Sequence, residues 1–138
     1  MQDPMAATIS LLKADADVRL LAADRIWGDK MPKAEASSPA RPNVVVRHGP
    51  GRGGPGGYID LQETTFDLFC YGETPAQAKA LHLECYRTLK RARRQVIEET
   101  LIHSFDQIGG PRALNDPDIQ WDFILSSWKS LAAEEQAT

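Results

Sequence analysis

The sequence predicts one α+β domain: an antiparallel or mixed sheet of about four to five strands, with a long helix and an N-terminal helix packed on one face. Two observations lead to this fold class. An apolar stripe at helical spacing lies within residues 74–96, between segments rich in alternating, β-branched or aromatic residues. The strand-like segments on each side of that helix are joined by turn-rich stretches, as antiparallel pairing requires. The length of 138 residues fits a single domain, residues 1–138.

The first element is a predicted helix that begins close to the N-terminus. Asp3 is a candidate N-cap and Pro4 stands at the first helical position. Met5, Ile9 and Leu12 then recur at the spacing of one helix face.

A second short turn and a short strand are predicted after this helix. Asp15 or Asp17 is expected to restart a helical turn, and residues 25–29, RIWGD, predict a strand that closes at Gly28. Residues 30–42 are rich in Pro, Ala and Ser and show no periodicity, so they predict a loop.

Two longer strands follow. Residues 43–48, NVVVRH, are β-branched and come after a proline, which favours a strand start. Residues 58–72 predict a long strand whose later part is apolar on both faces. One face of that part carries Phe66, Leu68 and Cys70, and the other carries Asp67, Phe69 and Tyr71.

A glycine-rich stretch, residues 49–57, occupies the position of a hairpin connection between these strands. A phosphate-binding loop would open a helix and carry Lys followed by Ser or Thr, whereas Tyr58 and a strand follow here. Two other interpretations stay open: a solvated flexible loop, or a loop that orders only when a partner binds it. In the second case Arg47, His48 and Arg52 supply the polar contacts.

The strongest element is the helix after the long strand. Thr74 is its predicted N-cap and Pro75 its first residue. Its apolar stripe steps by three or four residues through Ala78, Leu81, Cys85, Leu89, Ala92 and Val96.

The last third of the chain predicts two strands. Residues 98–110 form the first, which we expect to end at Gly109 and Gly110; residues 111–118, PRALNDPD, form a turn-rich connection. Residues 119–133 form the last strand, with Trp121, Phe123 and Leu125 on one face. A polar tail over residues 133–138 is expected to fray.

Composition excludes several classes of function. The formal net charge of −3 gives no overall attraction to nucleic acid or to an anionic membrane. The charge is nevertheless uneven, since residues 1–94 carry 14 basic and 11 acidic side chains and residues 95–138 carry 2 and 8. Cys70 and Cys85 are too few for a disulfide scaffold or a four-thiolate zinc site, and we expect both thiols to be reduced and buried. We expect neither a signal peptide nor a membrane span.

A basic cluster marks the end of the long helix, with Arg87, Arg91 and Arg94 expected on one helix face and Lys90 and Arg93 beside it. Three interpretations stay open: a contact with an acidic protein surface, a contact with nucleic acid, or a solvated helix end whose cations favour the helix dipole.

No constellation of residues indicates catalysis, a metal site or a cofactor. His48, His82 and His103 are scattered, and His82 lies beside the apolar stripe as a packed core histidine. Ser104 and Asp106 are near His103 in sequence but do not converge on it as a triad must. The acidic pairs Glu98–Glu99 and Asp116/Asp118 are expected to face solvent at element ends.

The order of these patterns resembles the small tail terminator, or tail completion, proteins of long-tailed bacteriophages and phage-like gene transfer particles. The resemblance covers about residues 5–130. It includes the helix ISLLKADADVRLLAADRIW leading into an arginine–aliphatic–aromatic strand, and a proline-rich gap before RPNVVVRH. It continues with the strand IDLQETTFDLFCYGETPAQAKAL, which passes directly into a helix at Thr74–Pro75, and with Trp121 near the start of the last strand. The glycine loop and PRALNDPD depart from the pattern.

The resemblance implies a structural virion subunit, not an enzyme, that forms a six-fold ring on the tail tube, ends tube growth and receives the head connector. Its implied partners are further copies of itself, the tail tube protein and the head–tail connector or head completion protein, with DNA only in transit through the ring. The implied location is the virion tail or neck, and the host cytoplasm during assembly. The glycine loop is then a reaching hairpin tip. Another neck protein, or a small nucleic-acid-binding module, is the alternative.

The resemblance also implies candidate interface residues, with the basic residues of segment 87–94 expected to face Glu98, Glu99, Asp116 or Asp118 of the next copy. These candidates are Arg47, His48, Arg52, Tyr58, Arg87, Arg91, Arg94, Glu98, Glu99, Asp116 and Asp118.

Overall fold

The computed structural model describes residues 4–37, 39, 41–48, 61–97 and 100–133. The predicted α+β class is confirmed. The described residues form four helices and six strands, in the following order: α1 (Pro4–Ala14), α2 (Ala16–Ala22), β1 (Ile26–Gly28), α3 (Lys33–Ala36), β2 (Asn43–His48), β3 (Leu61–Gly72), α4 (Pro75–Arg91), β4 (Gln95–Ile97), β5 (Thr100–Asp116) and β6 (Trp121–Ala133).

The strands form one mixed sheet in the order β1-β2-β3-β6-β5-β4. Strands β1 and β2 pair in parallel, and every other neighbouring pair is antiparallel. The centre of the sheet is the long β3–β6 ladder, which runs in unbroken register from Leu61 opposite Ala133 to Gly72 opposite Asp122. Helix α1 contacts both end strands, β1 and β4, so the sheet curls around it.

The main core lies between the helices and one face of the sheet. The face of β3 predicted to carry Phe66, Leu68 and Cys70 is fully buried there. It packs against the stripe of α4, in which Ala78, Leu81, Cys85 and Leu89 are also buried. The apolar face of β3 and the apolar stripe of α4 thus pack into one layer, which is the arrangement that the two sequence patterns predict.

The start of α4 agrees with the sequence, but its end does not. Thr74 caps the helix by accepting a hydrogen bond from the backbone N–H of Gln77 at 3.1 Å, and Pro75 is the first residue. The backbone becomes extended at Ala92, so the helix ends at Arg91. The predicted continuation of the stripe to Val96 is therefore wrong: Val96 belongs to the short strand β4 and is 63% exposed.

The N-terminal region resolves the choice between two candidate caps. Asp15 caps α2 by accepting from the N–H groups of Asp17 and Val18. Helix α1 begins at Pro4, whereas the predicted cap Asp3 lies outside the described residues.

The predicted loop at 30–42 contains the four-residue helix α3. The carboxylate of Glu35 accepts hydrogen bonds from the Arg41 guanidinium and from the Asn43 amide. These contacts hold a segment that lacks helical periodicity, which is why the sequence pattern predicts only a loop. The strand predicted over 25–29 is present as β1.

Strand β5 is longer than predicted. It continues through Gly109 and Gly110 and takes in most of the predicted turn, so that only residues 117–120 form the connection to β6. Three register shifts between Ile102 and Arg112 mark bulges in the ladder, and Gly110 adopts a φ of 81° that other residues rarely reach. Gly109 and Gly110 end neither β5 nor its pairing with β6, because both lie in bulges of the ladder.

The two edges of the sheet differ. The backbone groups of Arg25 and Asp29 form hydrogen bonds with β2. Because successive residues of a strand direct their backbone groups to opposite sides, the backbone groups of Ile26 and Gly28 point away from β2. Local turns occupy two of these groups, since Ile26 N–H donates to Asp24 and Gly28 C=O accepts from Lys30. On the other edge β4 covers only Thr100–Ile102 of β5.

Several predictions lie outside the described residues. They concern the glycine-rich stretch 49–57, Arg52, Tyr58, the pair Glu98–Glu99 and the tail from residue 134 onward. Ala133, the first residue of the predicted frayed tail, belongs to β6.

Candidate assembly surfaces

A second apolar cluster lies on the sheet face opposite α1, α2 and α4, which we call the outer face. Val45, Tyr71 and Trp121 are buried in it. Trp27, Met31, Phe69, Ile119 and Phe123 pack against these three residues while remaining partly exposed. The cluster follows from the alternation along β3, which turns Phe69 and Tyr71 away from the main core.

Aromatic contacts organise the outer face. The ring centroids of Tyr71 and Phe123 are 5.1 Å apart, and those of Phe69 and Phe123 are 5.6 Å apart. Tyr71 also meets Trp121 edge-on at 6.0 Å. The guanidinium of Arg47 lies over the ring of Phe69, 5.3 Å from its centroid, so a cation covers part of an otherwise apolar surface.

The outer face contains an open groove of about 230 Å³. Its lining brings together Arg47, Asp116 and Asp118, which are far apart in the sequence. Burial raises the pKa of the Tyr71 hydroxyl, the negative charge of Asp116 raises it further, and Arg47 opposes both. Tyr71 is therefore a neutral hydroxyl in this groove.

His48 stands beside the same groove through Asp29. The imidazole Nδ1 lies 3.3 Å from the Asp29 carboxylate, and the hydrogen bonds from the His48 side chain and backbone lower the pKa of Asp29. Four of the predicted interface residues, Arg47, His48, Asp116 and Asp118, thus gather at one surface. Whether this surface binds a partner remains a prediction.

The other predicted group, at the end of α4, is less uniform than the sequence suggests. The expected shared helix face of Arg87, Arg91 and Arg94 is wrong, because Arg94 lies past the helix with a φ of 49° and donates its N–H to His103. Arg91 pairs with Asp15 at 2.9 Å, and Arg87 pairs with Glu84 at 3.0 Å. These pairs leave less free positive charge for nucleic acid than five unpaired cations would.

The Arg91–Asp15 pair also fixes the cap of α2. Burial raises the pKa of Asp15, but hydrogen bonds from Val18, Thr88 and Asp17 and the charge of Arg91 together bring it below its ordinary value. This arginine therefore has a structural role inside the subunit.

The acidic and basic groups lie at opposite ends of the molecule. Gly72, just before α4, pairs with Asp122 beside the β5–β6 turn, so the helix begins near Asp116 and Asp118. It then runs for 17 residues, which span roughly 25 Å at 1.5 Å per residue, before it ends at Arg91.

His82 lies on the buried face of α4 and packs against β6, as a packed histidine is predicted to do. Its Nε2 lies 2.9 Å from the Ser126 hydroxyl, which accepts a hydrogen bond from the Trp128 indole at 2.8 Å. Burial lowers the pKa of His82. Among the described residues no group of three or more His, Cys, Asp or Glu side chains is placed to hold a metal ion. None of the described helices is long and apolar enough to cross a membrane.

The sequence did not reveal the outer face as one surface. Alternation in residues 66–71 indicates that β3 is apolar on both sides, and that signal is correct. Trp27, Met31 and Ile119 join the cluster only through strand pairing and through the packing of two connections, neither of which a single sequence encodes locally.

Comparison with known proteins gives a likeness in fold. No protein-family model and no curated protein sequence matches the chain. A chain in the solved structure of the virion of a native gene transfer agent particle is similar, with a TM-score of 0.68, 16% sequence identity and 94% of each chain covered. At this identity the likeness shows that the two chains share a fold over that length.

Proposed function

We propose that this chain is a structural subunit of a phage-like virion. The observation that carries the proposal is the fold shared with a gene transfer agent virion chain over 94% of both chains. Because the likeness covers nearly all of both chains, it supports a similar role for this chain.

The finer proposal is a tail terminator. Copies of the chain assemble as a ring on the end of the tail tube, stop its growth and receive the head connector. DNA passes through the ring without being bound as a ligand. The glycine-rich stretch 49–57, which lies outside the described residues, contributes a contact with one of these partners.

The surfaces of the subunit support this role. The outer face offers half-buried aromatic rings edged by charge, a composition that suits a contact with another protein. Charges of opposite sign at the two ends of the subunit suit a head-to-tail contact, and such a contact gives a ring when the rotation closes.

The test begins with the purified chain and then adds the tail tube protein from the same gene cluster. We expect discrete rings in electron micrographs and, by light scattering, a mass several times 15.3 kDa. With polymerising tube protein we expect shorter tubes that carry a ring at one end only.

A chain that stays monomeric and leaves tube length unchanged would contradict the terminator role. A chain that instead binds the isolated head connector, with no effect on tubes, would identify another neck protein. Binding to duplex DNA that weakens steeply with salt would identify the nucleic-acid module.

A further inference from the structure

An apolar groove of about 500 Å³ lies on the helix side of the β5–β6 hairpin, and we call it the tip groove. Its walls come from the first half of α4 and from the hairpin. Their apolar members are Pro75, Ala76, Ala80, Leu83, Ala113 and Ile124. Leu83 is 45% exposed, so the groove is an apolar surface open to solvent.

Four carboxylates lie at the end of the subunit that carries the tip groove, although none of them lines the groove itself. Asp116, Asp118 and Asp122 lie on or beside the hairpin turn, and Glu73 immediately precedes α4. Among the described residues none of these four side chains has an ion-pair partner. Lys79 lines the groove and Arg112 is near, while Arg47 and Lys30 line the outer-face groove together with Asp116 and Asp118, so cations partly offset the four carboxylates.

The strand beside the groove has an open edge. Arg112–Asp116 of β5 pair with β6 in regular register, whereas β4 covers β5 only at Thr100–Ile102. Outward backbone groups over this stretch therefore have no strand partner in the described part of the chain. An extended segment that pairs here places alternate side chains toward the groove.

The opposite end of the subunit carries the complementary chemistry. Arg93 and Arg94 are exposed, and neither pairs with a carboxylate of the described residues. Val96 follows two residues later on the end strand β4 and is 63% exposed. We call the segment Arg93–Val96 the basic corner.

We propose that the tip groove of one copy receives the basic corner of a second copy of this chain. Val96 fills the apolar groove, and Arg93 and Arg94 face Asp118 and Glu73. Because the helix between the two surfaces is roughly 25 Å long, a subunit cannot satisfy its own groove and each copy engages two neighbours. The inference rests on the proposed ring and names the contact that builds it.

A charge exchange tests this contact. The tip variant carries Glu73→Arg and Asp118→Arg, and the corner variant carries Arg93→Glu and Arg94→Glu. In the tip variant both surfaces are basic, and in the corner variant both are acidic. We expect each variant alone to lose self-association and an equimolar mixture to regain it, because every contact in an alternating ring then joins opposite charges.

Matched controls make the same changes in net charge outside the two surfaces. Asp17→Arg with Asp24→Arg, and Lys30→Glu with Lys33→Glu, are expected to assemble as the wild type does. Leu83→Asp tests the apolar part separately, and we expect at least a tenfold weaker association. Circular dichroism and thermal unfolding establish that each variant is folded, and sedimentation velocity gives the size.

Self-association by both charge variants at wild-type strength would overturn the contact, as would a mixture that stays monomeric. A wild-type chain that remains monomeric yet caps tail tubes would overturn the contact and leave the proposed function standing. A chain that assembles through this contact but ignores tubes and connectors would uphold the contact and refute the terminator role.

Discussion

At the scale of single residues, the hydrogen-bonded chain His82–Ser126–Trp128 ties α4 to β6 through buried polar groups. The Ser126 hydroxyl accepts from the Trp128 indole and lies within hydrogen-bond distance of the imidazole. Since burial lowers the pKa of His82 below 6.5, the folded state holds a neutral ring where water would allow protonation.

This neutral histidine makes stability depend on pH. Its contribution is complete above pH 6.5 and falls as the pH drops toward the lower pKa of the folded state, because the unfolded chain binds the proton first. We expect the free energy of unfolding in urea to decrease from about pH 7.5 to about pH 5.5, by at most about 1.4 kcal/mol per pH unit for one proton. His82→Gln should flatten this slope.

His103→Gln is the control, because it leaves the buried chain intact and is expected to keep the wild-type slope. An unchanged slope in His82→Gln would show that another group carries the acid sensitivity.

At the scale of elements, the junction between β3 and α4 depends on a close backbone approach. A Cβ at Gly72 would lie 2.6 Å from the backbone nitrogen of Ala78 in the first turn of α4. Only glycine therefore allows the strand to pass into the helix within two residues.

We expect Gly72→Ala to lower the free energy of unfolding by about 1–3 kcal/mol, because the backbone must shift to admit the methyl group. Gly109→Ala is the matched control: there the nearest atom, in the Ser127 side chain, is 3.5 Å away, an ordinary contact. Urea denaturation of both variants measures the difference. Equal stability of the two would refute the close approach as the constraint.

The elements that the sequence predicted correctly are those with local signals. Thr74 and Pro75 define the start of α4, and β-branched residues define β2, without help from distant contacts. The errors occur where distant contacts decide. Gly109 and Gly110 indicate a strand end, yet pairing with β6 carries β5 through them.

The same contrast holds for the candidate surfaces. Arg47 and Asp116 could be selected as charged residues at element ends, but their meeting at one groove depends on strand order. Likewise, the sequence locates the basic cluster near the end of α4. It does not reveal that two arginines of this cluster form ion pairs within the subunit, Arg91 with Asp15 and Arg87 with Glu84.

At the scale of the whole molecule, the sheet separates two apolar layers, of which the helices α1, α2 and α4 cover only one. The inner layer is the main core, and the outer face remains half open. Leu114 stands opposite Phe123 in the β5–β6 ladder and is 41% exposed, so it extends the outer face toward solvent.

We expect Leu114→Asp to weaken binding to the proposed tail tube partner at least tenfold while changing the free energy of unfolding by less than about 0.5 kcal/mol. The reason is that an exposed carboxylate interrupts an apolar contact but little of the subunit's own packing. Pull-down with assembled tail tubes measures the binding. Ile108→Asp, also exposed on β5, is the control; equal losses in both variants would argue against a specific role of the outer face.

The difference between the two edges of the sheet limits how many copies can join by mistaken strand pairing. Local turns already bond part of the edge at β1, while the edge of β5 at Arg112–Asp116 has no strand partner among the described residues. If two sheets pair by mistake through this part of β5, the free edge of each is used, and only the short, partly bonded edge of β1 remains for a third copy. Misassembled material should stop at pairs and not grow into fibres.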